Sequence, residues 1–120
     1  MTDQELTQII ETAQGIVKNV IDNIDTMNGD GLSRLNVKLS GYYSSICGFH
    51  ESIKSEYIEM WTALRPSNKS DKSCDMFLLK NNEAAKNYDN LKYVLKGLDK
   101  VIKSVDSRLY ILNQQAKNQT

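Results

Sequence analysis

Residues 77–112 read FLLKNNEAAKNYDNLKYVLKGLDKVIKSVDSRLYIL, and their apolar positions fall at alternating spacings of four and three. Phe77, Ala84, Leu91, Leu98, Val105 and Leu112 make one row of this seam. Cys74, Tyr88, Leu95, Ile102 and Leu109 make the other, with Asn81 its only polar member. A stripe that returns every three or four residues points one narrow face at a partner, as coiled coils and helical bundles require. The spacing predicts one helix over about 74–117, on the order of 60 Å long at its usual rise per residue.

Upstream of this rod lies a polar stretch, Pro-Ser-Asn-Lys-Ser-Asp-Lys-Ser at 66–73, which reads as a mobile connector with Ser73 or Asp75 capping the helix that follows. Pro66 stops the preceding helix, because it lacks an N–H and pushes residue 65 out of helical geometry. That second helix, about 32–64, carries its own seam at Leu32, Leu35, Leu39, Tyr42, Ile46, Phe49 and Ile53, which shifts by one residue to Tyr57, Met60 and Leu64. A first helix, about 3–28, opens with Thr2 and Glu5 at capping-box spacing and repeats apolar residues from Leu6 to Met27. Asn28-Gly29-Asp30-Gly31 reads as its stop, a glycine taking the left-handed conformation.

The expected fold is therefore all-α: an antiparallel three-helix bundle or coiled coil in one domain, residues 1–120, with a long C-terminal helix. Rods of about 40 and 50 Å do not match one of about 60 Å. Part of the C-terminal seam is therefore expected to meet a second copy or another protein.

Composition fits this architecture. One proline and six glycines leave little room for the turns of an all-β fold, and 40% hydrophobic with 25% charged residues is ordinary for a soluble domain. No run of 18 apolar residues suggests a membrane span. The start, Met1-Thr2-Asp3-Gln4-Glu5, is too polar for a secretory signal, and Cys47 and Cys74 make no disulfide framework, so a cytoplasmic setting is expected. Net charge is zero, yet residues 1–65 hold five basic and nine acidic side chains (−4), and residues 66–120 hold ten and six (+4).

Few residues suggest chemistry. Cys47 and His50 are three apart and could share a ligand, but a zinc site wants four and only Cys74 remains. The same pair as nucleophile and base lacks a third group to orient the imidazole. Glu51, Glu56 and Glu59, or Asp22 and Asp25, sit on outward faces, where carboxylates are solvated. No phosphate-binding glycine loop is present. The reading is of a protein that is not an enzyme, with no cofactor, metal or small-molecule substrate.

Two surfaces stand out. Lys92, Lys96, Lys100 and Lys103 share one face of the last helix, with Tyr93 beside them and Lys86 about a turn and a half before, broken by Asp89 and Asp99. A basic strip with an aromatic can hold single-stranded DNA by phosphate pairing and base stacking. On the second helix Ser40, Gly41, Ser44, Ser45 and Gly48 surround Tyr42 and Tyr43. Each internal glycine costs about 1 kcal/mol against alanine, which close approach of another helix would offset. The expected interface takes Gly41, Tyr42, Ser45, Gly48 and Trp61 from this helix and Leu98, Val105, Leu109 and Leu112 from the last.

The segment Leu79-Lys80-Asn81-Asn82-Glu83-Ala84-Ala85-Lys86-Asn87-Tyr88 followed by Leu91-Lys92-Tyr93-Val94-Leu95 resembles the helical recombination mediators of T4-type phages. The resemblance covers about residues 35–112 as a layout of helix, connector and long helix, without a diagnostic motif. It implies ring-like self-association and ssDNA binding, with Lys86, Lys92, Lys96, Lys100 and Lys103 at the phosphates. The residues themselves favour a non-catalytic helical interaction module that self-associates or docks on a partner protein. Small phage-encoded inhibitors or accessory factors look like this; the ssDNA-binding mediator is the alternative.

Overall fold

The computed structural model describes residues 3–118, so the expected Thr2 cap lies outside the described residues. The chain is all-helical there: α1 (Asp3–Asn23), α2 (Gly29–Leu64), a 3₁₀ turn (Arg65–Ser67), α3 (Asp71–Asn81) and α4 (Glu83–Asn118). It forms a rod of 67 × 28 × 21 Å.

Three heptad rows build the main core. Leu6, Ala13 and Val20 of α1, Leu32, Leu39 and Ile46 of α2, and Leu91, Leu98 and Val105 of α4 are all buried in one apolar cluster. Burying a leucine, isoleucine or valine side chain contributes about 1.5–3 kcal/mol, so these rows hold the three helices together. α2 and α4 run antiparallel, with Asn36 beside Asp106 at one level and His50 beside Tyr88 at another. α1 lies along both, parallel to α4: Leu6 sits near Leu91, and Ile24 near Arg108 and Ile111.

A second, smaller cluster occupies the far end. Cys74 and Leu78 of α3 and Ala85 of α4 pack against Tyr57, Met60, Trp61 and Leu64 of α2. The one-residue shift in the α2 seam falls between Ile53 and Tyr57, where α2 passes from the first cluster to the second. The shift thus marks a change of packing partner.

The single helix expected at 74–117 is instead two. Asn82 is extended (φ −130°, ψ 123°), and its side chain accepts from Ala85 N–H at 3.0 Å, capping α4 as asparagine favours. Its amide also donates to Met60 Sδ at 3.2 Å, which ties the joint to α2. Glu83 follows in the first turn, where the helix dipole favours a carboxylate. Before the break α3 turns Cys74 and Leu78 inward, while Phe77 is 46% exposed and Asn81 faces outward.

Other boundaries move for local reasons. α1 ends at Asn23, not near residue 28, because the Asn23 carbonyl accepts from Thr26 N–H, Met27 N–H and Thr26 Oγ1. Asn28 then caps α2 by accepting from Gly31 N–H at 2.8 Å, so Gly29-Asp30-Gly31 forms the first turn of α2 and no described glycine has positive φ. The connector contracts to a 3₁₀ turn and three residues. Arg65 binds Asp71 at 2.6 Å and the Asn68 carbonyl at 2.7 Å, and Asn68 donates to the Leu64 carbonyl. Ser70, not Ser73 or Asp75, caps α3, through Ser73 N–H.

Candidate interaction surfaces

The α4 lysines are all exposed, as their position opposite the buried rows requires. Lys103 binds Asp99 at 2.8 Å, a side-chain bond that holds its ammonium above the usual lysine range. Lys86 makes a longer 4.0 Å contact with Glu83. Lys92 places Nζ 4.7 Å from the centre of the Tyr88 ring, and Lys96 places Nζ 5.9 Å from that of Tyr93, both within cation–π range. Tyr93 is 66% exposed. The strip is therefore one exposed aromatic flanked by lysines, with the lysines at either end partly neutralised.

The outer face of α2 points directly away from the core. Gly41, Ser44, Ser45 and Gly48 are exposed, and a methyl group built on Gly41 or Gly48 would meet nothing within 4 Å. Among the described residues no other helix packs on Gly41 or Gly48. Two apolar residues frame this face: Val37, 75% exposed, and Ile58, 51% exposed, three heptads apart in one row with Ser44 and Glu51. The sequence reading found the glycines and overlooked these two. Their heptad spacing, out of phase with the core seam, is the signal that finds them.

The rest of the expected interface lies elsewhere. Leu98 and Val105 belong to the intramolecular core, and Leu109 and Leu112 pack against it half-buried, so they present no outward seam. Tyr42 is also half-buried against the first cluster. Trp61 lies in the second, its indole Nε1 donating to Asp75 at 2.8 Å.

Cys47 and His50 do not converge on a ligand. The His50 ring lies flat against Tyr88, its Nε2 buried without a hydrogen-bond partner. Among the described residues no three His, Cys, Asp or Glu side chains gather to hold a metal ion, and no helix is long and apolar enough to cross a membrane. Glu51, Glu56, Glu59, Asp22 and Asp25 are all exposed.

No protein-family model matches this chain, nor does any curated protein or solved structure.

Proposed function

We propose that this chain is a non-catalytic helical interaction module, and that it associates with a second copy of itself through the outer face of α2. The observation that carries the reading is the open face itself: two glycines with free space above them, set between the exposed side chains of Val37 and Ile58. Two glycines in a helix interior sacrifice about 1 kcal/mol each, and close packing of another backbone returns it. Charge supports an antiparallel pairing centred on Gly48. Arg34 and Lys38 lie near Val37, while Glu59 lies near Ile58. Turning one copy over sets Val37 against Ile58 and brings the basic end to the acidic end, twice, as a two-fold interface demands.

Light scattering after gel filtration tests this. The wild-type chain is expected to show a dimer at high micromolar concentration that Gly41→Leu with Gly48→Leu converts to monomer at unchanged helicity. A wild-type chain that stays monomeric overturns the reading.

Tyr93 favours a second reading, binding of single-stranded DNA along α4. An exposed ring beside Lys96 and near Lys92 and Lys100 offers stacking and phosphate contacts together, in keeping with the resemblance to phage recombination mediators. Fluorescence anisotropy with a labelled oligonucleotide is expected to show steeply salt-dependent binding. Lys92→Glu, Lys96→Glu and Lys100→Glu together abolish it while leaving helicity intact.

A further inference from the structure

α1 and α4 run side by side, and on their shared flank a hollow opens beside a glycine. Gly97 is exposed, and a methyl group built on it would meet nothing within 4 Å. The hollow has a volume of about 300 Å³, at the lower end of pockets that take small molecules. Gln14 and Val17 stand within α1, and Asn90, Tyr93 and Val94 within α4, so both walls belong to helix interiors on the flank of the rod.

Its chemistry is divided between lining and rim. The lining carries no charge: one exposed phenol ring, two side-chain amides, and an apolar floor of half-buried Val17 and Val94 with buried Leu98. Among the described residues neither Gln14 nor Asn90 has a hydrogen-bond partner, so both amides are free to donate and to accept. The cations stand outside. Lys96 holds Nζ 5.9 Å from the centre of the Tyr93 ring, Lys100 follows one turn later, and Lys18 lies one turn beyond Gln14. All three are exposed, and among the described residues none is in an ion pair. Hollows further along the same groove differ, carrying Glu83 on one side and Asp25 on the other.

A flat uncharged ring inside and negative charge outside match this division. We infer that the hollow receives one unstacked base of a single-stranded nucleic acid. Tyr93 stacks on the base, the amides of Gln14 and Asn90 bond its edge, and Lys18, Lys96 and Lys100 meet the phosphates beside it. An aromatic ring accepts any base, because every base has a π-face, and amides offer both donor and acceptor, so the hollow is tolerant of sequence. Gly97 keeps the space open, which gives a use to a glycine where it weakens the helix. The inference rests on the reading of α4 as a strand-binding surface, and it adds a base site whose second wall is α1.

Fluorescence anisotropy compares a labelled oligothymidylate of about 12 nucleotides, within the range of single-strand site sizes, with an abasic strand of the same length and charge. The strand with bases is expected to bind about tenfold more tightly or better, equivalent to about 1.4 kcal/mol. Tyr93→Leu and Gly97→Leu are each expected to bring it down to the level of the abasic strand. Tyr93→Phe, which keeps the ring, retains the difference. Circular dichroism confirms that the variants keep their helices.

Equal binding of the two strands, with both lost on Lys92→Glu, Lys96→Glu and Lys100→Glu together, overturns the base site and leaves the strand-binding reading standing. Binding of neither strand overturns both. A preference for the base-bearing strand that survives Tyr93→Leu and Gly97→Leu puts the base elsewhere and also overturns the inference.

Discussion

Tyr88 lies flat against His50, with ring centres 4.4 Å apart and planes 8° from parallel. Tyr57 also stacks on Tyr88, at 4.7 Å and 16°, so α4 inserts one ring among two from α2. The stack sits where the first apolar cluster gives way to the second, so the His50 imidazole titrates within the α2–α4 contact.

Burial holds the His50 imidazole below its ordinary value of 6.5; Glu51 opposes this, while Lys92 and Lys54 push the same way. The folded chain therefore binds a proton less readily than the unfolded chain. Stability is full above pH 6.5, declines as pH falls below it, and levels off once the folded pKa is passed. Urea midpoints measured across this window are expected to fall on acidification. His50→Phe, which keeps a ring on Tyr88, is expected to remove that component of the slope.

The opposite sign applies to Tyr57. Its phenol is pushed up to about 12, first by burial and then by Asp75, whose carboxylate accepts its hydroxyl at 3.1 Å. The folded state prefers the neutral phenol, so this contribution is present below pH 10 and fades as pH rises toward 12. Asp75→Ala also takes the acceptor from Trp61. It is expected to lower the Tyr57 titration midpoint seen by ultraviolet absorbance and to reduce stability by about 1–3 kcal/mol.

Asn82 tests the break. Asn82→Ala removes the side-chain acceptor for Ala85 N–H, and loss of such a cap costs about 0.5–2 kcal/mol. A lower urea midpoint is the expected result. A higher one would mean that the chain gains by continuing α3 straight into α4.

Leu98 and the exposed glycines separate intramolecular from intermolecular roles. Leu98→Ala is expected to cost about 2–5 kcal/mol in unfolding at a concentration where the chain is monomeric, since it opens a cavity in the main core. Gly15→Ala and Gly97→Ala, where an added methyl meets nothing within 4 Å, are expected to stabilise by up to about 1 kcal/mol each.

The heptad rows of α1, α2 and α4 were legible because burial in a bundle needs little more than apolar spacing. Leu32, Leu39, Ile46 and Leu91 are buried as read, whereas Leu98 and Val105, expected at an interface between molecules, are buried within the chain's own core. The break at Asn82 was not legible from spacing, since Phe77, Ala84 and Leu91 keep perfect register across it. Its only trace is chemical: an asparagine followed by Glu83, the signature of a helix start. Gly29 and Gly31 misled for a related reason, because Asn28 settled which helix that turn belongs to.

The joint at Asn82 leaves α3 as an 11-residue helix, shorter than helices that persist alone in water. It is held by Cys74, Leu78 and the Asp75 bonds, whereas α2 and α4 run on through the larger cluster. This helix can peel away while the main bundle stays intact, so its amide protons should exchange with solvent soonest among the helix interiors. Each such excursion uncovers Trp61, giving the molecule a built-in fluorescent reporter of its own breathing.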